Sequence, residues 1–454
     1  MKMMLSEIAK NVRGKLFGAD LAIESVSLDT RTIKNGQLYI AIEGKNFDGN
    51  QFVGQAVQNG ASAALVRTGI TATVPYIAVE DTHLALAELA GTWRRKVPAS
   101  VVGITGSNGK TTVKEMTAAV LATQGNVLFT EGNLNNDIGV PLTLLRLQES
   151  HRFAVIEMGA NHPGEIEYTS TYAQSDVVIL NNAGAAHLEG FGNLDGVAKA
   201  KGEIIATLKH NGVAILNKDD RYFDYWQRLA GDRKVLSFGL SEQADVSARG
   251  IRTEIANGGF ATRFELVTAQ GSLPIHLQLA GHHNVLNALA ASAAALALGL
   301  NLESIKQGLE NMKPVKGRLQ PVFTRQGNLV INDTYNANAA SLKVGLDVLA
   351  TCPGPHWLVL GAFGELGPDS AQIHKDMGQM ARSKGVTRLW AVGDDTKNTV
   401  SEFGEGGQFF NTQAELLDAI RQALSGNETI LVKGSRAQRM ENIVAALVET
   451  AGIA

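Results

Sequence analysis

A glycine-rich loop, GITGSNGKTT at residues 103–112, is the feature that most restricts the fold of this chain. The apolar run SVVGI precedes the loop and the helical pattern VKEMTAAVLATQ follows it, which predicts a strand–loop–helix unit. The backbone N–H groups of such a loop and the positive end of the helix dipole face one point, where a phosphate binds. The common P-loop has a glycine at the position of Ile104, whereas here the glycines are Gly103, Gly106 and Gly109.

The altered spacing widens the loop but leaves the Lys-Thr pair at the start of the helix. Lys110 is placed to contact the terminal phosphates of a nucleotide, and the Thr111 hydroxyl is placed to hold Mg²⁺. A plain glycine-rich turn is the alternative, but Gly-Lys-Thr-Thr after an apolar strand favours phosphate binding. The residues predicted to bind ATP here are Gly106, Ser107, Asn108, Gly109, Lys110, Thr111 and Thr112.

Length and composition limit the class of protein. The chain has 454 residues, which predicts two to four domains, and its 44% hydrophobic and 19% charged content is typical of a soluble globular protein. A net charge of −3 without a long basic run argues against nucleic-acid binding. The single Cys352 cannot form an internal disulfide and favours a cytoplasmic location. The apolar stretch at 285–300 is too short to span a membrane and predicts a buried helix.

The order of strand-like and helical patterns predicts an α/β protein of three domains. Residues 1–82 mix short strands with Asn-Gly and Asp-Gly turns. In residues 83–312 the runs SVVGIT, FAVIEM, DVVILNN and GVAILN alternate with helices, which predicts a mostly parallel sheet, and residues 234–280 predict an antiparallel patch at its edge. KPVKGRLQP at 313–321 marks a boundary and a hinge, and a second alternation predicts a Rossmann-like domain over 313–454.

Polar residues follow the strands that flank the glycine loop. Glu157 ends FAVIEM, and His187 lies beyond DVVILNN, so both can converge with Thr111 on Mg²⁺ at the carboxyl edge of the sheet. Taken alone, a charged residue after an apolar strand is usually just exposed, and a lone histidine is more often structural than a ligand. Lys201, in GVAKAKGEI, is predicted from the residues alone to lie on a solvated helix face.

Further polar residues are candidates for nucleotide recognition. Asn284 and Asn287, in GHHNVLNALAA, carry amides that can recognise the adenine edge, although Asn284 can equally be an N-cap. Asp333 follows a strand and can accept a ribose hydroxyl or stabilise a turn. Arg318 can contact phosphate or lie on the surface.

Together these stretches resemble the Mur ligase superfamily, the ATP-dependent amide ligases of peptidoglycan precursor synthesis. The three-glycine spacing is that superfamily's own form of the phosphate loop. The resemblance implies an N-terminal domain that holds a UDP-sugar, a central ATPase domain and a C-terminal domain that closes over the site. The matching stretches are GITGSNGKTT, EGNLNNDIGVPLTLL, VIEMGANHPGEI, NNAGAAHLEGFG, GVAKAKGEI, LNKDD, GHHNVLNALAA, KGRLQ and NDTYNANAAS.

Within the superfamily, SLDTRTIKNGQLYIAIEGKNFDGNQF and DTYNANAASL are similar to members that join D-alanyl-D-alanine to UDP-N-acetylmuramoyl-tripeptide. The implied reaction uses ATP and Mg²⁺, with two ions expected, and passes through an acyl phosphate. The protein is expected to be a cytoplasmic monomer that has no nucleic-acid partner and does not insert into a membrane. A third-residue-adding ligase or a folylpolyglutamate synthase remains the nearest alternative, and a nucleotide-dependent switch is an alternative from another class.

The resemblance also implies roles for individual residues. The lysine that matches Lys201 is typically carbamylated in this family and binds a second Mg²⁺. The implied catalytic residues are Lys110, Lys201 and His187, and the implied Mg²⁺ ligands are Thr111, Glu157, His187 and Lys201. The implied adenine, ribose and phosphate contacts are Asn284, Asn287, Arg318 and Asp333. The implied substrate contacts are Thr30, Arg31, Lys45, Asn46, Phe47, Asp48, Asn135, Asn136, Asn336 and Asn338.

The chain departs from the family pattern at two positions of its C-terminal part. Ala339 stands where the family often has proline, and Ala362 stands where it commonly has aspartate. Glu365 and His374 nearby agree with the pattern. Both departures fall in the part of the chain where the amine substrate is expected.

Overall fold

Three large sheets organise the chain, one in each predicted domain, and together they form the expected three-domain α/β fold. The computed structural model describes residues 1–44, 47–184, 188–256 and 259–449. The positions of the domain boundaries remain predictions. No helix in these described ranges is long and apolar enough to cross a lipid bilayer.

The N-terminal part forms a small, mainly parallel sheet. Its elements are β1 (Met3–Met4), α1 (Leu5–Asn11), β2 (Lys15–Phe17), β3 (Ala22–Ile23), β4 (Ser25–Ser27), β5 (Gln37–Ile40), β6 (Glu43–Gly44), β7 (Phe47–Asp48), α2 (Val53–Gln58), β8 (Ala63–Arg67) and β9 (Tyr76–Val79). The sheet has the order β2-β9-β8-β5-β4, and only β2 runs antiparallel to its neighbour. β6 and β7 form a separate antiparallel pair.

The central part contains a nine-stranded sheet. Its elements are α3 (Thr82–Lys96), β10 (Ser100–Thr105), α4 (Lys110–Ala122), β11 (Val127–Phe129), α5 (Gly139–Leu145), β12 (Phe153–Glu157), α6 (Glu165–Ala173), β13 (Val177–Leu180), α7 (Leu188–Phe191), α8 (Leu194–Ala206), β14 (Val213–Asn217), α9 (Phe223–Ala230), β15 (Lys234–Phe238), β16 (Val246–Ala256), β17 (Gly259–Thr268), β18 (Gly271–Leu277), α10 (His282–Ala297) and α11 (Leu302–Glu310). The strand order is β11-β12-β10-β13-β14-β15-β16-β17-β18.

Most of this central sheet is parallel and covered on both faces. β12, β13 and β14 are buried along their whole length, as their unbroken apolar runs predict. The alanine-rich α10 is buried as expected and packs against α4, where small side chains permit a close approach. The predicted antiparallel patch begins later than expected, because β15 pairs in parallel with β14 and only β16, β17 and β18 are antiparallel to one another.

The C-terminal part forms a second parallel sheet with helices around it. Its elements are β19 (Gln320–Phe323), β20 (Leu329–Asp333), α12 (Ala339–Leu349), β21 (His356–Gly361), α13 (Ser370–Ser383), β22 (Arg388–Val392), α14 (Thr396–Phe403), β23 (Gly407–Phe410), α15 (Gln413–Ala423), β24 (Thr429–Lys433) and α16 (Glu441–Glu449). The order is β19-β20-β24-β21-β22-β23, and only β19 is antiparallel. The carboxyl ends of β20 and β24 are therefore adjacent, which brings the loops after them together.

Candidate active site

The predicted phosphate loop joins β10 to α4. Gly106 has φ +149° and Gly109 has φ +79°, backbone conformations that residues with a Cβ rarely adopt. Gly109 is the N-cap of α4 and places no side chain over the first turn of the helix. Lys110 begins α4, and its Nζ donates to the carbonyl oxygen of Gly106 at 2.8 Å. The loop thus curls around its own lysine at a helix N-terminus, the arrangement expected for phosphate binding.

Two asparagines that were not predicted from the sequence as site residues hydrogen-bond to the backbone of this loop. Asn181 Nδ2 donates to the Asn108 carbonyl oxygen at 2.9 Å, and Asn182 Oδ1 accepts from the Asn108 backbone N–H at 2.9 Å. Both follow β13, which pairs with β10. Since the carboxyl ends of neighbouring parallel strands share one edge, the Asn-Asn pair after an apolar run was the available signal.

Asn284 and Asn287 lie behind the loop, away from the cleft described below. α10 begins at His282 with Gly281 as its N-cap, so the interpretation of Asn284 as the cap is wrong. Asn287 Nδ2 donates to Asn284 Oδ1 at 3.2 Å, and Asn287 Oδ1 accepts from Asn181 at 3.2 Å. These buried amides support the loop through Asn181, while their contact with adenine stays a prediction.

Substitution of Gly109 by alanine is expected to destabilise the protein and weaken ATP binding. A Cβ at this position would lie 2.5 Å from Asn287 Oδ1 and 2.7 Å from Asn181 Nδ2, so both amides would have to move. Left-handed strain costs about 1–2 kcal/mol, and overpacking adds about 1–3 kcal/mol. Urea unfolding and calorimetric ATP titration measure the two effects. The control is Gly299→Ala, which has φ +83° but open space, and equal effects of the two substitutions would contradict this account.

A cleft of about 700 Å³ lies in front of the loop, between the central and C-terminal sheets. Its lining brings together residues that are far apart in the sequence and that were predicted separately. The predicted site residues in the lining are Ser107, Asn108, Gly109, Lys110, Thr111, Asn135, Asn136, Glu157, Arg318, Asp333, Asn336 and Asn338. Predicted residues outside the lining are Thr30, Arg31, Phe47, Asp48, Gly106, Thr112, Lys201, Asn284 and Asn287. The predictions for Lys45, Asn46 and His187 fall outside the described residues.

Glu157 places a carboxylate in this cleft. The side chain is 2% exposed, and Oε1 accepts from Asn135 Nδ2 at 2.8 Å. Its Oε2 is buried and has no hydrogen-bond partner among the described residues. Anywhere in the same described ranges, no group of three or more His, Cys, Asp or Glu side chains is placed to hold a metal ion. Because a buried carboxylate oxygen without a partner is costly, and because Mg²⁺ prefers oxygen ligands, Glu157 and the Thr111 hydroxyl fit a divalent cation.

Lys110 contributes a cation to this part of the cleft, next to Arg318. Burial lowers the pKa of its ammonium group, while the charge of Glu157 raises it and that of Arg318 lowers it. A charge in such a desolvated site acts more strongly on a bound phosphate than it would in water. The Asn136 side chain makes a local hydrogen bond, because its Oδ1 accepts from the Gly139 N–H at 2.8 Å at the start of α5.

Lys201 is buried, so its prediction from the residues alone as part of a solvated face is wrong. The side chain is 2% exposed on α8, with Nζ 5.3 Å from the centre of the Phe191 ring. Burial lowers the pKa of Lys201 to about 7, and the nearby charge of Lys110 contributes in the same direction. A large fraction of this amine is therefore neutral and nucleophilic near neutral pH.

The C-terminal part reaches the phosphate loop through two hydrogen bonds. Arg318 Nη2 donates to Thr111 Oγ1 at 3.0 Å, and Asn338 Nδ2 donates to Asn108 Oδ1 at 2.9 Å. Arg318 also stacks on Tyr335, with 4.3 Å between Cζ and the ring centre, and its Nε is buried without a partner among the described residues. Asn338 is at the same time the N-cap of α12. Arg318 therefore lies in the cleft, and the alternative of a surface arginine is wrong.

Asp333 is held by a buried lysine that sequence reasoning missed. Lys433 Nζ lies 2.5 Å from Asp333 Oδ2 and donates to the Asn336 carbonyl oxygen at 3.1 Å. The Leu319 backbone N–H donates to Asp333 Oδ1 at 3.2 Å. Lys433 ends β24, next to Asp333 at the end of β20, so the carboxyl edge of a parallel sheet was again the available signal.

The predicted UDP-sugar residues lie in the N-terminal part. Arg31 is exposed and pairs with Asp29, with Nη2 and Oδ2 2.7 Å apart, and this hydrogen bond lowers the pKa of Asp29 to about 2. The Thr30 carbonyl oxygen accepts from Asn59 Nδ2 at 2.8 Å. Phe47 is 59% exposed, and Asp48 Oδ1 accepts from the Asn50 backbone N–H at 2.9 Å. Their contact with a substrate stays a prediction.

Ala339 and Ala362 are the two positions that depart from the family pattern, and both lie within the folded C-terminal part. Ala339 is the first residue of α12, and the Ala362 carbonyl oxygen accepts from Ser435 Oγ at 2.7 Å. His374 is fully buried, and its Nε2 accepts from the Phe363 backbone N–H at 3.3 Å. His374 therefore supports the loop after β21 and does not line the cleft.

Three protein-family models match successive parts of the chain. The Mur ligase family catalytic domain matches residues 22–94, the Mur ligase middle domain matches residues 104–295, and the Mur ligase glutamate ligase domain matches residues 317–436. Together with a relative that is 44% identical along nearly the whole chain, these matches show that the chain belongs to the Mur ligase family.

Individual similar proteins indicate which kind of Mur ligase the chain resembles. The 44% identical relative is the UDP-N-acetylmuramoyl-tripeptide–D-alanyl-D-alanine ligase of Escherichia coli strain K12, and the match covers 98% of both chains. A crystal structure of MurF from Acinetobacter baumannii has a TM-score of 0.92 at 38% identity and covers 99% of both chains. MurF ligase from Thermotoga maritima in complex with ADP has a TM-score of 0.84 at 27% identity, covering 93% of this chain and 97% of that one. A Mycobacterium tuberculosis folylpolyglutamate synthase is 17% identical at a TM-score of 0.64, which is a likeness of fold alone.

Proposed function

We propose that this chain is an ATP-dependent ligase that joins D-alanyl-D-alanine to UDP-N-acetylmuramoyl-tripeptide and forms the pentapeptide precursor of peptidoglycan. The observation that carries the proposal is the cleft, which combines a phosphate loop, a half-buried lysine and a carboxylate with an oxygen that has no partner among the described residues. Arg318 and Asp333 of the C-terminal part complete the same cleft. A ligase needs such a site because a nucleotide, a carboxylate and an amine must meet where water is excluded.

The reaction takes place in two steps. A carboxylate oxygen of the tripeptide attacks the γ-phosphorus of ATP, the bond to the ADP oxygen breaks, and an acyl phosphate forms. The amine nitrogen of D-alanyl-D-alanine, after its ammonium group has lost a proton to solvent, then attacks the acyl carbon. The bond to the phosphate oxygen breaks, the nitrogen loses a second proton, and an amide and inorganic phosphate result. Lys110 lowers the repulsion between the two anions of the first step, and Arg318 holds the nucleotide from the C-terminal side.

We further propose that Thr111 and Glu157 hold Mg²⁺, with Asn135 orienting the Glu157 carboxylate through its 2.8 Å hydrogen bond. When bound, Mg²⁺ neutralises charge on the phosphates. His187 and Lys201 are proposed as further ligands, Lys201 as its carbamate, which converts an amine into a carboxylate group. The lowered pKa of Lys201 supports this proposal because only a neutral amine adds CO₂.

The remaining site residues have proposed substrate roles. Thr30, Arg31, Lys45, Asn46, Phe47 and Asp48 bind the UDP-sugar, Asn135 and Asn136 bind the peptide end, and Asn336 and Asn338 act on the side of the amine. Asn284 and Asn287 contact adenine, and Asp333 contacts ribose. The protein is proposed to act as a monomer in the cytoplasm, where ATP and UDP-linked substrates are present.

Mass spectrometry of the products tests the proposed reaction. The purified chain, incubated with ATP, Mg²⁺, UDP-N-acetylmuramoyl-tripeptide and D-alanyl-D-alanine, is expected to form UDP-N-acetylmuramoyl-pentapeptide, ADP and phosphate in equal amounts. Parallel reactions supply UDP-N-acetylmuramoyl-dipeptide with a diamino acid, or a folate with glutamate, in place of the tripeptide nucleotide and D-alanyl-D-alanine. Product in either of these reactions and none in the first would favour the other ligases of the family, and ATP hydrolysis without any peptide product would favour a nucleotide switch.

A further inference from the structure

A buried lysine on the helix of the phosphate loop has no part in the roles described so far. Lys114 lies one turn after Lys110 on α4, and its side chain is 1% exposed. Its Nζ donates to the Thr130 carbonyl oxygen at 2.6 Å, and it lies 2.9 Å from Glu115 Oε1 and 5.6 Å from the centre of the Phe129 ring. An apolar side chain would fill this space at a lower desolvation cost, but it could not donate to the Thr130 carbonyl oxygen.

Lys114 acts at the point where the chain leaves β11. Thr130 follows β11 directly, and its N–H donates to the Val155 carbonyl oxygen of β12 at 3.1 Å. In a continued parallel ladder the Thr130 carbonyl oxygen would then accept from the Glu157 N–H. Here the Glu157 N–H donates to the Thr130 hydroxyl oxygen at 3.0 Å, and the carbonyl group is turned to Lys114. The chain therefore leaves the sheet at Thr130 with both of that residue's backbone groups paired.

The segment that starts at Thr130 carries Asn135 over the end of β12. The Asn135 carbonyl oxygen accepts from the Gly159 N–H at 2.8 Å, and Asn135 Nδ2 donates to Glu157 Oε1 at 2.8 Å. The segment is thus fixed at its start by Lys114 and at its end by Gly159. Because this one segment holds both the backbone N–H and the carboxylate of Glu157, the direction in which it leaves β11 determines how that carboxylate is placed.

We propose that Lys114 is a positioning residue for the magnesium site and acts through Thr130 and Asn135. It keeps the Thr130 carbonyl group out of the ladder, so that the segment turns over the end of β12 and Asn135 reaches the Glu157 carboxylate. Since Lys114 and the proposed ligand Thr111 lie one turn apart on α4, the same helix sets both halves of the site. This assignment rests on the magnesium ligands of the proposed function.

Binding of Mn²⁺, measured by electron paramagnetic resonance in the presence of ADP and without turnover, tests this assignment. Lys114→Met keeps the apolar stem of the side chain but cannot donate to the Thr130 carbonyl oxygen. It is expected to raise Kd for Mn²⁺ about tenfold or more, the usual cost of losing a group that orients a metal ligand, and to leave Kd for ADP measured with EDTA nearly unchanged. Thr130→Val removes the hydroxyl that pairs with the Glu157 N–H and is expected to weaken Mn²⁺ binding as well.

A double-mutant cycle with Asn135 separates positioning from a general structural role. Asn135→Ala is itself expected to weaken Mn²⁺ binding, and Lys114→Met is expected to add little in that background, because the lysine acts through Asn135. Equal fold-changes from Lys114→Met in the two backgrounds would overturn the assignment. Wild-type affinity for Mn²⁺ in either Lys114→Met or Thr130→Val would overturn it too.

The control for stability is Val120→Ala, which removes apolar volume from a fully buried position of the same helix. It is expected to lower the urea midpoint but to leave Kd for Mn²⁺ unchanged, and a loss of Mn²⁺ binding equal to that of Lys114→Met would count against positioning. If the wild-type chain binds no Mn²⁺, the proposed magnesium site fails and the role of Lys114 fails with it. Failure of the proposed ligase reaction has a different signature, since a chain that forms no pentapeptide would still show these changes in Mn²⁺ affinity.

Discussion

Replacement of Lys110 by alanine is expected to lower kcat/KM for amide formation by about a thousandfold, which corresponds to about 4 kcal/mol of lost transition-state stabilisation. Lys110 is the half-buried cation of the phosphate loop, and desolvation lowers its pKa because the charged form is poorly solvated there. The same lack of solvent makes its charge effective where negative charge gathers on the transferred phosphate. The rate of pentapeptide formation at saturating substrates, and KM for ATP, measure the loss.

Two further variants separate charge from loop structure. Lys110 Nζ also donates to the Gly106 carbonyl oxygen, so its removal could disturb the loop as well as the chemistry. Lys110→Arg keeps a cation and is expected to retain more activity than Lys110→Ala, while Lys199→Ala removes an exposed lysine of the same part of the chain and is expected to be neutral. Near-normal turnover of Lys110→Ala would contradict both the assigned role and the ligase mechanism.

The local parts of the site could be predicted from the sequence. An apolar strand, three glycines and Lys-Thr at a helix start are sufficient to place Lys110, because the loop lies within one strand–loop–helix unit. Glu157 could be placed because it ends an apolar run, and neighbouring parallel strands bring their carboxyl ends to one edge. The same argument, applied to every strand, would also have found Asn181 and Lys433.

Lys201 shows how a local signal can be misread. It follows Val197 by four residues and precedes Ile204 by three, so it shares the apolar face of α8, and both neighbours are fully buried. Helix periodicity therefore predicts burial, whereas adjacency to Lys199 and Glu203 suggested a solvated face.

Contacts between the central and C-terminal parts could not be predicted from local patterns. The hydrogen bond from Arg318 to Thr111 joins residues 207 positions apart, and that from Asn338 to Asn108 joins residues 230 positions apart. Both depend on how the two sheets are placed across the cleft, which is set by packing and not by the periodicity of either segment.

Replacement of Lys201 by alanine is expected to lower kcat by about a hundredfold or more, a loss typical of removing one preorganised electrostatic group. If Lys201 is carbamylated, ¹³C-labelled bicarbonate should give a carbamate resonance in the wild-type chain that is absent from Lys201→Ala. The pKa of about 7 sets the pH dependence. Above this pH the buried amine is mainly neutral and adds CO₂, whereas below it the amine is mainly an ammonium group and does not, so reactivation of bicarbonate-depleted enzyme should fail progressively as the pH drops below about 7.

The matched control is Lys199→Ala, which removes an exposed lysine two positions earlier on α8. It is expected to keep the carbamate signal and the wild-type rate. Added acetate should restore part of the activity of Lys201→Ala, because the truncated side chain leaves room for a small carboxylate near Lys110, whose charge already acts on this position. Loss of activity without any carbamate resonance in the wild-type chain, and without rescue by acetate, would indicate that Lys201 acts as a buried amine, and the second carboxylate of the proposed magnesium site would have to come from another residue.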